Sequence, residues 1–318
     1  MTEQQTPSLE SRFTGTLLGL AVADGLGANF EGHAPERIAK RYRTADELID
    51  NPPPGELWYT DDTQMMIGVA ETLIERGEID EPTLCRRFAE NYLPQRGYGR
   101  GARVIIEAIQ LGHDYRSLAA SYFPGGSFGN GAAMRVAPVG LMFRDDPERL
   151  WQQAGVSAMP THTHPLGIEG AQVLALAVGL ASQADTLDRD VFLNTLADHC
   201  VSLEYGGPLR RASDVHRAVD IGQFGNGIEA NSSVVTAIAS FAFTPDSYGA
   251  TIANAIMLGG DTDTIAAMAG AISGAYLGVE AIPRHLLDAL EDRRQGRTYI
   301  AELATKLYEV YQSQCKVN

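Results

Sequence analysis

Apolar residues recur along most of this chain every three or four positions. In "DDTQMMIGVAETLIERG", Met66, Val69, Ala70 and Leu73 share one face and Gly77 supplies a stop, which predicts an amphipathic helix. "GARVIIEAIQLG" repeats the period with Val104, Ile105, Ala108 and Leu111. So do "LGIEGAQVLALAVGLASQ", "DRDVFLNTLADHCVSL", "NSSVVTAIASFAF" and "RTYIAELATKLYEVYQ". Alternating strand-like runs are scarce. Turn residues gather in a few loops: "NPPPGELWYT", "LPQRGYGRG", "YFPGGSFGNG", "MPTHTHPLG" and "GQFGNG". "FGNG" occurs twice, at Phe128–Gly131 and Phe224–Gly227, with unlike flanks, so it reads as a recurring tight loop rather than a repeat. No linker divides the chain. The expected fold is all-α, a compact many-helix single domain over residues 12–318, with a polar leader, Met1–Ser11, expected to fray.

Small residues change the picture of some helices. "AAMAGAISGAYLG" is nearly all Ala and Gly, which lets a neighbouring helix approach closely. It is too short for a membrane span and follows two aspartates, and the longest apolar stretches are broken before the ~20 residues a bilayer requires. No charged segment leads into an apolar run at the start, so no secretory signal is expected. Cys85, Cys200 and Cys315 are far apart and form no CxxC pattern, which fits reduced thiols and a cytoplasmic location. A formal charge of −15 argues against a nucleic-acid duplex as partner. An anionic small molecule stays compatible with that charge if a metal or backbone amides supply local positive potential.

Two acidic clusters stand at predicted helix starts: Thr60, Asp61, Asp62 and Thr63 in "YTDDTQ", and Asp261, Thr262, Asp263 and Thr264 in "GDTDT". Capping explains one Asp or Thr at each start. Two carboxylates at each are more than capping needs, because charges 4 Å apart repel by roughly 4 kcal/mol at an effective dielectric of 20. If the two mouths meet, the all-oxygen set selects hard cations such as Mg²⁺ or Mn²⁺ over zinc. Capping and metal binding both remain open on spacing alone. A glycine loop, "GGSFGNGAAMRVAP", sets Gly125, Gly126, Gly129 and Gly131 around Ser127, Phe128 and Asn130. Such a loop is either a plain turn or a nest of amides for an anion, with Phe128 offering a face to a purine. It matches neither a Walker A loop nor GxGxxG.

Together these stretches resemble the ADP-ribosylglycohydrolase family over nearly the whole chain, from "GTLLGLAVADGLGANFEGH" to "LGGDTDTIAAMAGAISGAYLG". "NFEGH", "RGYGRG", "GSFGNGAAMRVAP", "GNGI" and the "TH" of "PTHTHP" resemble the branch that releases ADP-ribose from serine and degrades poly(ADP-ribose). The resemblance implies a compact all-α fold. It implies that Thr60, Asp61, Asp62, Asp261, Asp263 and Thr264 hold two Mg²⁺ ions, or Mn²⁺ as in related members, with ribose hydroxyls completing the coordination. Glu31 matches a mobile glutamate over the metal site. The glycine loop, Gly125 to Gly131, would cradle diphosphate and ribose, Phe128 would stack on adenine, and His162 and Ile228 match further ligand contacts. Whether Tyr122 or Phe123 pairs with Phe128 is left open, and His162 with His164 offers too few ligands for zinc.

The implied chemistry is hydrolysis at the anomeric carbon through an oxocarbenium-like state. Metals would fix the ribose and activate a water, with Glu31, or second Asp261, handling its proton. The implied partners are ADP-ribosylated proteins or ADP-ribose derivatives, including poly(ADP-ribose) and O-acetyl-ADP-ribose. Arginine-linked ADP-ribose is the rival substrate. A non-catalytic ADP-ribose binder and a structural protein are rivals of another class, and the intact ligand set argues against both.

Overall fold

The computed structural model describes residues 6–316, built of seventeen α-helices and four short 3-10 segments, with two isolated bridges in place of strands. The all-α expectation holds. The leader is shorter than expected: Ser8 accepts a hydrogen bond from the Ser11 amide at 3.1 Å and caps a helix over Leu9–Gly27. Leu9–Ser11 are therefore helical rather than frayed. Arg12, buried one residue later, donates to the Ala181 carbonyl at 3.1 Å and ties this first turn to the interior. Residues 1–5 of the leader lie outside the described residues.

The first helix and the helix Thr262–Leu277 form an antiparallel pair at the centre, with nearly every side chain of both buried. Gly15, Gly19, Ala23 and Gly27 recur every fourth residue, which places them on one face. Gly270 and Gly274 present the matching face. A Cβ on Gly15 would stand 2.6 Å from the Gly274 carbonyl oxygen, and one on Gly270 would stand 2.5 Å from that of Gly19. At the far end, a Cβ on Gly27 would lie 2.5 Å from the Thr262 carbonyl oxygen. Backbone meets backbone here, and any side chain would wedge the pair apart. The contact also sets register, because it holds the C-terminal end of the first helix against the start of "GDTDT".

The remaining helices pack around this pair. Asp61–Arg76 forms as its pattern predicts, with Met66, Val69, Ala70 and Leu73 buried and Gly77 left-handed at φ +74° as its C-cap. Arg100–Gln110 is helical too, but its buried face is Ile105, Ile106 and Ala108. Val104 is only partly buried and Leu111 is 70% exposed, so the expected stripe is rotated. Its helix neighbours are Glu81–Asn91 and Tyr115–Tyr122, and those decide its face. Pro165–Gln183 differs from expectation in another way: by length and composition it is apolar enough to cross a membrane. Its apolar residues instead pack into the core, where Ala171, Val173, Leu174 and Val178 are fully buried.

Gly274→Ala is expected to lower stability by about 2 kcal/mol or more, because overpacking at a backbone contact exceeds the gain in helix propensity. Gly207→Ala, whose added Cβ would meet only the Arg211 guanidinium at 3.5 Å, is expected to be neutral or stabilising. Urea unfolding of both variants measures the contrast.

Candidate active site

Asp24 is the group from which the site is assembled. It lies in the last turn of the first helix with no solvent exposure. Its carboxylate accepts from the Thr60 amide at 3.0 Å, the Thr60 hydroxyl at 2.8 Å, the Thr63 amide at 3.1 Å and the Thr63 hydroxyl at 2.5 Å. Those donors belong to the start of the Asp61–Arg76 helix, whose N-cap is Thr60. Asp24 thus takes up orphan amides of that helix and fixes the direction in which Asp61 and Asp62 point. Burial lifts its own pKa to about 6, while the four hydrogen bonds act in the opposite direction.

The second acidic cluster arrives by the glycine contact. Asp261 caps Thr262–Leu277 with its backbone, and its side chain caps nothing. The Thr264 hydroxyl lies 3.5 Å from Asp62 Oδ2, and Thr60 Oγ1 lies 3.1 Å from that same oxygen, so the two helix mouths meet. Both "FGNG" loops bear on Asp261. The Asn130 side-chain amide donates to Asp261 Oδ2 at 2.5 Å, and the Asn226 carbonyl accepts the Asp261 amide at 2.9 Å. The loops also pair through the bridge between Gly129 and Glu229, where the Asn130 amide donates to the Ile228 carbonyl at 2.9 Å. The recurring tight loop is a two-sided clamp on one aspartate.

Glu31 stands over this end on the turn that follows the first helix. The Gly32 amide donates to the Gly260 carbonyl at 2.8 Å, and the Gly260 amide donates to the His33 carbonyl at 3.0 Å. One ligand oxygen from each of Glu31, Asp261 and Asp263 falls within 4.8 Å of the others. The cluster fits a divalent cation on the chemistry of its donors. Asp62 Oδ1 is buried with no hydrogen-bond partner, and every donor is a hard oxygen. Burial first, then the neighbouring carboxylates, raise these groups: Asp61 to about 7, Asp263 to about 9, and Asp62 well above its ordinary range. Burial raises Asp261 as well, against the opposing Asn130 hydrogen bond. Without a cation, the cluster is held together only by taking up protons.

From the acidic end a cavity of about 410 Å³ runs to the glycine loop, a size suited to a nucleotide-like ligand. Asp61, Asp62, Asp261, Asp263, Thr264 and Glu31 line one end. Gly126, Ser127, Phe128, Gly129, Asn130 and Gly131 line the other, with His162 and Ile228 beside them. Gly126 (φ +88°) is pressed against the backbone between Thr163 and His164, and a Cβ on Gly131 would lie 2.8 Å from His162 Cε1. Two of the expected residues stay outside the lining. Thr60 is turned toward Asp24, and Gly125 (φ +89°) shapes the turn before the loop with open space around it.

Phe128 is 46% exposed at the rim, its ring 5.4 Å from that of His164. Phe123 lines the cavity, seated on Gly101, where any Cβ would overlap its ring; Tyr122 packs edge-on behind it. Of the two aromatics, Phe123 is the one that lines the cavity. His164 caps Pro165–Gln183 by accepting the Leu166 amide at 3.2 Å. His162 pairs with Thr161 Oγ1 at 2.7 Å, and burial with the nearby Arg135 charge drops its pKa to about 3, so it is a neutral imidazole.

Sequence reasoning passed over Asp24, Asn226 and Arg135. Arg135 is fully buried and lines the cavity, and its described partners are the Ser157 carbonyl at 2.8 Å and the Met65 sulfur at 3.7 Å, with no carboxylate paired to it. Asp24 had one signal, a lone carboxylate inside "LLGLAVADGLG", since a charge in an apolar helix needs a buried partner. The second "FGNG" and "GNGI" mark the loop that holds Asn226, but not its role, which is that of a backbone carbonyl accepting the Asp261 amide.

Fold and site together define a class: an all-α protein in which an oxygen-ligand cluster closes one end of a nucleotide-sized cavity. Residues 5–317 match the family model described as ADP-ribosylglycohydrolase. The chain is 36% identical to the ADP-ribosylhydrolase ARH3 of Danio rerio, covering 95% of this chain and 91% of that one. It is 34% identical to ADP-ribosylhydrolase ARH3 of Homo sapiens, at 95% and 94% coverage. A solved structure described as an ADP-ribosylglycohydrolase-related protein complex superposes with a TM-score of 0.69 at 27% identity, covering 95% of this chain and 99% of that one. The chain belongs to the ADP-ribosylglycohydrolase family and is a hydrolase.

Two measurements follow from the site's electrostatics. Asp24→Ala strands four donors in the interior and is expected to cost about 2–4 kcal/mol in unfolding free energy and to weaken Mg²⁺ binding, read by denaturation and calorimetry. The raised carboxyls bind protons more tightly folded than unfolded, so their penalty is absent below about pH 4 and grows as the unfolded chain ionises. It stops growing above the folded pKa values of about 7 and about 9. Thermal melts in EDTA are expected to show this cluster lowering stability from pH 4 to 9, and saturating Mg²⁺ is expected to remove most of that fall.

Proposed function

We propose that the protein hydrolyses the glycosidic bond between ADP-ribose and a serine side chain of a modified protein, acting also on poly(ADP-ribose) or O-acetyl-ADP-ribose. The observation that carries this reading is the single cavity with two unlike ends. A glycine loop and Phe128 suit diphosphate and adenine, and a carboxylate cluster suits a ribose held through a hard cation. Arg135 and Arg100 also line the cavity, where their positive charge suits the diphosphate. Asp61, Asp62, Asp261, Asp263 and Thr264 would hold two Mg²⁺ ions, with Mn²⁺ as the alternative; Thr60, expected among the ligands, would first have to turn from Asp24. Bound there, the cations supply Lewis acidity at the ribose hydroxyls and at the attacking water.

The chain's own residues then have separable tasks. The Gly126–Gly131 backbone, free of side chains, lets the diphosphate approach closely, and Phe128 stacks on the base. Neutral His162, with Nδ1 against Thr161, fills the loop's underside without adding charge. Asn130 holds the Asp261 carboxylate at a fixed angle. Glu31, exposed at the mouth and within reach of Asp261 and Asp263, is placed to take the proton of the attacking water and return it to the leaving oxygen. A cytoplasmic location is part of the same reading, supported by three cysteines that form no disulfide.

Release of free ADP-ribose from serine-linked and arginine-linked peptides, side by side with Mg²⁺, with Mn²⁺ and with EDTA, tests the proposal. Release from serine alone, lost in EDTA, is the expected result; release from arginine alone overturns the substrate and keeps the site. Glu31→Gln is expected to lower kcat by about 10²–10⁴ with metal binding retained, and wild-type turnover in that variant removes Glu31 from the proton transfer.

A further inference from the structure

Beside the acidic end of the cavity lies a second, smaller hollow of about 220 Å³, lined by Trp58, Tyr59, Thr60, Leu93, Gln95, Arg96 and Gly97. Gly97 lines both spaces, and a Cβ there would stand 3.8 Å from Asp61 Oδ1. Thr60 directly precedes Asp61. The hollow therefore begins where the carboxylate end of the cavity stops. With the base at Phe128 and the ribose at the carboxylates, the hollow lies at the ribose end, within reach of a group on the anomeric carbon.

The hollow has an apolar face on a rigid wall. Trp58 is 46% exposed and Leu93 is 38% exposed, two of the few large apolar side chains so placed among the described residues. The backbone next to Trp58 is pinned: the Leu57 amide donates to the Ala289 carbonyl at 2.8 Å, and the Leu57 carbonyl accepts the Glu291 amide at 3.1 Å. The indole is braced by Arg293, whose guanidinium carbon lies 4.3 Å from the ring centroid. An exposed aromatic that is already immobilised loses little entropy on contact.

Charge and size decide what it holds. Arg96 is paired with Glu291, which is 1% exposed, and also donates to the Tyr59 carbonyl at 2.8 Å. Arg293 is paired with Glu56 at 3.2 Å. Both arginines that touch the hollow or its indole are thus already engaged by carboxylates. The volume is about half that of the main cavity, too small for a second ADP-ribose unit. A short extended polypeptide fits both limits. An apolar side chain lies on Trp58 and Leu93, and the Gln95 amide, which no intramolecular hydrogen bond uses among the described residues, meets the peptide backbone.

We propose that this hollow is an acceptor subsite, which receives the polypeptide residues next to the ADP-ribosylated side chain and favours an apolar neighbour. The proposal rests on the main cavity being the ADP-ribose site. Its test compares wild type, Trp58→Ala and Leu93→Ser, all loaded with Mg²⁺, on three substrates: a serine-ADP-ribosylated peptide with Leu beside the serine, the same peptide with Gly there, and O-acetyl-ADP-ribose. The expected result is a fall of about tenfold, through KM, in the ratio of kcat/KM for the Leu peptide over that for O-acetyl-ADP-ribose, in both variants. The Leu peptide is expected to lose its advantage over the Gly peptide at the same time. An unchanged ratio, or equal loss on every substrate, overturns the subsite and leaves the main cavity intact. In parallel, affinity of the Leu peptide relative to free ADP-ribose is measured by calorimetry on the Mg²⁺-loaded Glu31→Gln variant, so a protein that binds without cleaving still gives an answer. Neither binding of free ADP-ribose nor cleavage of any substrate by the wild type is the separate outcome that removes the main-cavity reading, and the subsite with it.

Discussion

The structure depends on one contact in which two helices meet backbone to backbone. Gly15, Gly19 and Gly27 on one side, with Gly270 and Gly274 on the other, bring Leu9–Gly27 and Thr262–Leu277 closer than any side chains permit. Such a seam tolerates neither rotation nor sliding, because a shift along either axis sets carbonyl oxygens against Cα atoms. It therefore acts as a fixed rod through the core. The end of that rod carries Asp24 from one helix and Asp261, Asp263 and Thr264 from the other.

From this end, order spreads by hydrogen bonds rather than by packing. Asp24 uses its carboxylate to hold the start of Asp61–Arg76, and Asn130 with Asn226 holds Asp261 from the opposite side. Asp61 and Asp62 are thus oriented by Asp24, which does not line the cavity, and Asp261 by Asn226, which does not, and by Asn130, which does. Such an arrangement resolves a conflict of forces. Several carboxylates repel one another in a buried setting, and flexible side chains would relieve that repulsion by turning away. Here their supports prevent it, so burial first, and the repulsion after it, persist as raised proton affinity that a cation would relieve.

The cavity inherits its asymmetry from the same scaffold. Its acidic wall comes from helix starts tied to the central seam, and its other wall is the glycine loop, joined to the second "FGNG" turn through the Gly129 and Glu229 bridge. Arg135 lies buried nearby without a carboxylate partner, in a chain of formal charge −15. A local positive charge in an acidic protein is what an anionic ligand requires, and a buried one is poorly screened by salt. Overall charge and site charge are therefore separate properties of this molecule.

The sequence by itself determined the helical class, most of the helices and the two acidic mouths, because those rest on local period and on residue chemistry at fixed spacing. The 3.6-residue pattern around Met66, Val69, Ala70 and Leu73 survives folding, since one buried face is all it encodes. It failed for Val104 and Leu111, where the neighbouring helices choose the face. As expected, the small face of "AAMAGAISGAYLG" lets a neighbouring helix approach closely. That face meets the first helix, and Asp24 makes the link to "YTDDT". Only the tertiary structure could assign Asp24, Asn226 and Arg135, or place Phe123 rather than Tyr122 in the cavity lining. Each acts across more than twenty residues of chain, through a backbone carbonyl, a shared carboxylate or an added glycine gap, and no local spacing records such partners.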